Sequence, residues 1–266
     1  MKLRVCVAGA TGWVGLPLCL AVSGTDDLLL AGAVSRTHRG RNLQEIAGDA
    51  VPELTISGSV AEALDGAPVD VMVDYTKADA VKAHVMAAVE RGVHVVIGSS
   101  GLTEQDFLEI DRAALEHKVG VLAAGNFAIT AVLLQRFACE AAKYLSHWEI
   151  IDYASDAKQD APSGMTRELA HRLAEIRRPE TTHPIEETIG ERESRGVTLN
   201  GSQIHSLRLP GYVIAAEVIF GAGDERLSLR YDAGAGAAPY IQGTLLAIRK
   251  VREHVGLVRG LDRIMD

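Results

Sequence analysis

Cysteine is scarce in this chain: three in 266 residues, at positions 6, 19 and 139. An odd number with no Cys-x-x-Cys pair and no Cys/His ligand spacing excludes a disulfide framework and a structural zinc site. Cys6, Cys19 and Cys139 read as buried thiols, and no metal is expected. Basic charge is also in deficit, with 27 Lys and Arg against 35 Asp and Glu. Aromatics make up only 5% and do not interleave with any basic cluster, so nucleic acid is excluded as a partner. Long apolar runs are missing too, none approaching the roughly 18 residues of a membrane span. The chain enters an apolar strand pattern at once, which gives no sign of a secretory leader and an expectation of a cytoplasmic protein. Internal repeats and low-complexity tracts are lacking. What is present, 47% hydrophobic and 23% charged residues, can bury a core in one large or two modest domains.

The first positive signal follows the apolar run Leu3–Ala8. Gly9-Ala10-Thr11-Gly12-Trp13-Val14-Gly15 passes directly into the helical pattern Leu16–Val22. A glycine triad between a strand and a helix suits a dinucleotide: Gly9 for the tight turn, Gly12 for close approach of backbone to a pyrophosphate, Gly15 for close helix packing. Thr11, Trp13 and Val14 share the loop and are candidate contacts. A second strand pattern, Leu28–Val34, ends in Ser35-Arg36-Thr37-His38-Arg39-Gly40-Arg41, with no acid before Gln44. An NAD site usually places Asp or Glu here for the ribose hydroxyl, whereas arginine accommodates a 2′-phosphate. Ser35 and Arg36 therefore point to NADPH as the preferred cofactor, with NADH not excluded.

Strand and helix patterns then alternate through Val69–Tyr75, Ala78–Arg91, Val93–Gly98, Thr103–His117 and Val119–Ala124. This predicts an α/β Rossmann-like, doubly wound parallel sheet whose ligand lies beyond the carboxyl ends of its strands. Three short loops fall there: Asp74-Tyr75-Thr76, Gly98-Ser99-Ser100-Gly101 and Gly125-Asn126-Phe127. Beyond Asn126 a long helix pattern, 131–145, precedes strand patterns at 147–153, 203–209, 213–220 and 226–232. These predict a second α+β domain built on an open mixed sheet, one face of which a partner subunit would cover. Arg177–Gly196, charged and proline-containing, reads as a mobile loop or lid. Residues 241–251 and 257–261 read as helix returning to the first domain. The expected division is 1–126 plus 241–266 for the dinucleotide and 127–240 for substrate binding and oligomerisation.

Within that second domain, Lys158-Gln159-Asp160-Ala161-Pro162-Ser163-Gly164 leads into the helical pattern Met165–Ile176. A turn of this kind presents backbone N–H groups at the positive end of a helix, with the Ser163 hydroxyl and Lys158 ammonium nearby. It suits a small carboxylate; an ordinary capped helix with a solvated lysine is the alternative. His84 and His117 read as helix-surface residues, His94 and His205 as strand residues, and none has a partner at ligand spacing. His183 lies in the charged loop.

Together the glycine loop, Asp74-Tyr75-Thr76, Gly98-Ser99-Ser100-Gly101, Gly125-Asn126-Phe127, Lys158…Gly164 and Ile204–Gly211 resemble the 4-hydroxy-tetrahydrodipicolinate (dihydrodipicolinate) reductase family of the diaminopimelate route to lysine, over nearly the whole chain. The resemblance implies a homotetramer, and hydride transfer from NAD(P)H to a cyclic unsaturated dicarboxylate. It places Gly12, Gly15 and Arg36 on the nucleotide, Gly98, Ser99 and Ser100 beside the nicotinamide, and Lys158, Ser163 and Gly164 on the substrate. The family signature Glu-x-x-Glu-x-His-His-x-x-Lys-x-Asp-x-Pro-Ser-Gly-Thr aligns with Glu149 to Met165. Its two histidines, proposed proton donor and carboxylate ligand, fall on Ala154 and Ser155, its threonine on Met165, and a nucleotide-loop arginine on Trp13. Met165 keeps its backbone N–H, Ser155 a hydroxyl, and Lys158 becomes the candidate acid; Tyr153 and Asp156 are weaker candidates, and water is another proton source. Two other readings stay open. One is a reductase of a different cyclic imine on the same scaffold. The other is a non-catalytic, NADP-binding redox sensor related to short-chain dehydrogenases, whose catalytic Tyr-x-x-x-Lys pair occurs nowhere in the chain.

Overall fold

The computed structural model describes residues 2–265, and the chain divides into two compact units, 1–129 with 237–266, and 130–236. In the first unit, β1 (Leu3–Ala8), β2 (Leu28–Val34), β3 (Val71–Asp74), β4 (His94–Ile97) and β5 (Gly120–Ala123) alternate with α1 (Gly15–Ser23), α2 (Gln44–Ala47), α3 (Val60–Gly66), α4 (Val81–Val89) and α5 (Glu104–Glu116). The strands are short and apolar because both faces are covered, as the parallel arrangement requires. Cys6, Met72, Val95 and Val121 pack against Val60, Val81, Val85 and Ile110 of α3, α4 and α5. Their neighbours Val7, Val73, Val96 and Leu122 are equally buried and turn to the opposite face. Thr103 caps α5 through a reciprocal box with Asp106, which fixes where that helix starts.

In the second unit, α6 (Ile129–Ala142), which starts at the unit boundary, leads to β6 (His147–Ala154), α7 (Gly164–Ile176), β7 (Val197–Leu199), β8 (Ser202–Arg208), β9 (Ile214–Ala222) and β10 (Glu225–Ala233). The mixed sheet runs β10-β9-β6-β8-β7, with β6 parallel to β8 and antiparallel to β9. Along β6, Trp148, Ile150, Asp152 and Ala154 are buried, whereas Glu149 and Ile151 between them are partly open. The open face carries charge: Arg195 and His205 on Glu149, and Arg230 on Glu217.

The chain returns to the first unit through α8 (Ala238–Lys250). The following segment corrects the sequence reading: Gly256–Arg259 is a strand, β11, not a helix. It extends the parallel sheet to β11-β5-β4-β3-β1-β2, pairing Gly256 with Gly120 and Arg259 with Ala123. The Asp111 carboxylate accepts the Leu257 N–H at 2.7 Å, and glycines with positive φ at 256 and 260 bracket the strand. Four residues are too few to show a period, so tertiary pairing decides their conformation. The 177–196 segment holds only two single turns of 3-10 helix among its described residues.

Candidate active site

In the first unit, the loops after β1, β2 and β3 open onto one cleft of about 540 Å³, lined by Gly9, Thr11, Gly12, Val34, Ser35, Arg36, Thr37, His38, Tyr75, Thr76 and His84, among others. It lies where the parallel order reverses between β1 and β3, as expected for a nucleotide. The glycines fit that role in steric detail. Gly9 has φ 84°, and a Cβ there would stand 2.3 Å from the Tyr75 carbonyl oxygen; one on Gly15 would stand 1.9 Å from the Gly9 carbonyl oxygen. Gly12 is exposed at the rim and donates its N–H to the Gly9 carbonyl at 2.9 Å. Val14 precedes α1 without any side-chain cap, and no acid occupies the first turn. The helix end therefore keeps its positive field for a phosphate. Trp13 is 61% exposed and rests its ring edgewise on Tyr240.

At the end of β2 the Ser35 hydroxyl sits 2.8 Å from that of Thr11 and 3.2 Å from that of Thr37, with His38 Nδ1 bonded to Thr37 at 2.9 Å. Arg36 is exposed, its nearest carboxylate being Asp79 at 4.0 Å. Of the three arginines of this stretch, only Arg36 lines the cleft; Arg39 and Arg41 reach Glu62 and Glu45.

The loop after β3 departs from expectation. Asp74 is fully buried and cannot touch a cofactor. Its carboxylate accepts from Thr76 Oγ1 at 2.7 Å, the Thr76 N–H at 3.0 Å and Ser99 Oγ at 2.5 Å, and bonds His84 Nδ1 at 2.8 Å. Burial alone would raise its pKa, yet these partners hold it below the usual carboxylate range. Asp74 thus ties the Thr76 and Ser99 loops together. His84, read from sequence as a surface residue, completes the knot and lines the cleft; no motif marked it, although it falls on α4 ten residues after Asp74. Tyr75 directs its hydroxyl to Thr244 at 2.7 Å, and its ring occupies the space a Gly98 side chain would need. Phe127 is buried beneath Tyr75, so its side chain supports that ring and does not face a ligand. Ser100 and Gly125 are exposed, and the side-chain Oδ1 of Asn126 accepts the Ala128 N–H.

In the second unit the anion turn is also built on a buried aspartate. Asp152, fully buried on β6, accepts the Ser163 N–H at 2.9 Å, the Ser163 hydroxyl at 2.6 Å and the Thr166 hydroxyl at 2.9 Å. Arg208 donates to it at 2.7 Å, and together these partners outweigh burial and hold its pKa low. The expectation that the Ser163 hydroxyl faces a bound anion is therefore corrected: Ser163 is fully buried, caps α7 and spends both donors on Asp152. Gly164 remains exposed, with nothing within 4 Å of the place its Cβ would occupy, and Met165 is half-buried beside it. Lys158 Nζ pairs with Asp160 at 2.7 Å and lowers that carboxyl's pKa. Ser155 donates its hydroxyl to Asp156 and accepts the Ala157 N–H, while Ala154 is fully buried. Among the described residues no group of three or more His, Cys, Asp or Glu could hold a metal, and no helix is long and apolar enough to cross a membrane.

Comparison with known proteins gives the same picture along the whole chain. Residues 3–127 match the family model described as dihydrodipicolinate reductase, N-terminus, and residues 130–265 the corresponding C-terminus. The 4-hydroxy-tetrahydrodipicolinate reductase of Desulfitobacterium hafniense is 39% identical over 100% of this chain and 99% of its own length. That of Moorella thermoacetica is 37% identical over 99% and 98%. A dipicolinate-bound dihydrodipicolinate reductase from Paenisporosarcina sp. TG-14 superposes with a TM-score of 0.89 at 30% identity, covering both chains in full. With both halves of the family model matched, the chain belongs to the dihydrodipicolinate reductase family and is an NAD(P)H-dependent reductase.

Proposed function

We propose that the chain reduces 4-hydroxy-tetrahydrodipicolinate or its dehydrated cyclic imine, with the first unit holding NADPH and the second holding the substrate. The observation that carries this reading is the turn at 158–164, which places the Lys158 ammonium, paired with Asp160, and the exposed Gly164 together at a helix start already fixed by Asp152. Two carboxylates on a small ring suit such a pair of donors. The cofactor, when bound, supplies a hydride to an electrophilic ring carbon. Lys158 Nζ orients one carboxylate and delivers the proton that neutralises the atom left electron-rich. Thr11, Gly12, Trp13, Val14, Ser35 and Arg36 bind the nucleotide, and Thr76, Gly98, Ser99, Ser100, Gly125 and Asn126 surround its nicotinamide half. The charged open face of the mixed sheet is the surface through which four copies assemble.

The test is NADPH oxidation against freshly generated 4-hydroxy-tetrahydrodipicolinate and a panel of cyclic imines with one carboxylate or none. Turnover is expected on the dicarboxylate alone. Preference for a monocarboxylate imine would favour the second reading, a different substrate on the same scaffold, to which Ala154 and Ser155 at the two histidine positions of the signature give specific support. Nucleotide binding without turnover on any of them would overturn the reductase assignment to this site.

Cofactor choice has its own expected result. Arg36 is exposed and weakly paired, free to meet a 2′-phosphate. A charge-assisted contact contributes about 1.5–3 kcal/mol, so Arg36→Ala should raise the KM for NADPH by roughly 10- to 100-fold. The KM for NADH should stay within about twofold, because no charge is lost from its site. Equal changes for both cofactors would remove Arg36 from the phosphate.

A further inference from the structure

Arg208, on β8, gathers acceptors from three parts of the second unit. Its Nη2 donates to the Asp152 carboxylate at 2.7 Å and to the Asp160 carbonyl at 2.7 Å. Its Nη1 donates to the Leu207 carbonyl at 2.8 Å and reaches the Asp152 carbonyl at 3.4 Å. The side chain is 17% exposed, and its Nε is buried without a partner. We infer that Arg208 is a positioning residue for substrate: it fixes the 158–164 turn to β6 so that Lys158 and the Gly164 N–H present themselves together to one dicarboxylate. The inference rests on the substrate reading above.

Two arguments support it. The first is geometric. Asp152 fastens the start of α7 through Ser163 and Thr166, but neither residue restrains the Lys158–Asp160 arm. That arm is tied to β6 by the Asp160 carbonyl's bond to Arg208, and Asp160 is the residue that holds Lys158 Nζ at 2.7 Å. A single planar fork can serve a carboxylate and a carbonyl in fixed directions; an ammonium on a flexible stem cannot hold both in the same geometry. The second is electrostatic. Around the turn lie Asp152, Asp156 and Asp160, against Lys158, Arg167 (whose Nε donates to the Pro162 carbonyl) and Arg208. Without Arg208 the balance becomes negative where a dianion must bind, and Asp152 loses the cation that cancels it.

Arg208→Lys retains the charge and loses the fork. Dipicolinate serves as a probe that needs no turnover, and NADPH binding reports on the first unit and on folding in the same sample. Expected for Arg208→Lys is a dipicolinate Kd and a substrate KM each raised at least tenfold, with NADPH Kd and thermal midpoint near wild type. Asp152→Asn, similar in shape, should give the same split from the other partner. In Arg208→Ala, millimolar guanidinium ion should restore several-fold of the lost dicarboxylate affinity, which loss of fold alone would not allow. If dipicolinate binds the wild-type chain and Arg208→Lys equally, the positioning role is overturned while the reductase reading stands. If the wild-type chain binds no dipicolinate and turns over no dicarboxylate, the substrate reading fails and this inference fails with it.

Discussion

Lys158→Met should lower kcat on the dicarboxylate substrate by about 10²–10⁴-fold, the range lost when a positioned general acid is removed. NADPH affinity should not change, because Lys158 lies in the second unit and the nucleotide loops in the first. Elimination among neighbouring groups makes the expectation sharp. Ala154 carries no proton and is buried. Ser155 has its hydroxyl directed at Asp156, and Asp156 is an exposed carboxylate. Tyr153 alternates with Asp152 and Ala154 along β6, so it points to the other face of the sheet. There it donates to Glu217 at 2.9 Å under the Arg230 guanidinium, and burial pushes its pKa up to about 12. These exclusions support Lys158 as the proposed proton donor, with solvent as the alternative source.

Two variants separate charge from proton. Lys158→Arg keeps a cation that stays protonated under all ordinary conditions, so it can bind a carboxylate but not deliver a proton. Its KM should remain within a few-fold of wild type while kcat falls nearly as far as in Lys158→Met. Were Lys158→Met to keep kcat within about threefold, solvent would be the proton source and Lys158 only a binding residue.

The chemistry of this chain is legible in its sequence wherever backbone rules dominate, and hidden wherever two distant side chains meet. Gly9 and Gly15 announce their loop because only glycine tolerates the contacts found there, while Gly12 completes the spacing at an exposed position. The strands β1 to β5 show themselves as apolar runs bounded by turns. By contrast, Asp152 meets Ser163 across eleven positions and Arg208 across fifty-six, and nothing local marks that pairing. Ser163 is recognisable in the sequence as a helix cap, but its partner Asp152 is not, so its hydroxyl looks available to a ligand. His84 was hidden likewise, since a histidine on a helix gives no sign that a buried aspartate waits at the end of the preceding strand. Both units use the same device: a buried aspartate near the end of a strand, held below the usual carboxylate range by its hydrogen-bond partners, that fixes the adjoining loop.

That pre-setting makes the glycine loop the other place where a single methyl group should have a large effect. Gly15→Ala puts a Cβ 1.9 Å from the Gly9 carbonyl oxygen and 2.7 Å from its carbon, backbone atoms that cannot swing aside. Gly9 cannot retreat either, because it lies at φ 84° against the Tyr75 carbonyl. The loop must open, and its amides leave the line of α1, where they would meet the pyrophosphate. Losing two charge-assisted contacts of about 1.5–3 kcal/mol each corresponds to an NADPH Kd raised by roughly 10²–10⁴-fold. The ligand-free protein should also melt at a lower temperature, since the clash exists without cofactor. Gly12→Ala provides the contrast: its Cβ would stand 3.1 Å from the Gly9 oxygen, at an exposed position on the cleft side. That variant should melt close to wild type and still bind NADPH poorly, because the methyl group occupies space the phosphates need. A fluorescence titration with NADPH beside a thermal melt reads both. Wild-type affinity in Gly15→Ala would mean that the nucleotide lies elsewhere than on this loop.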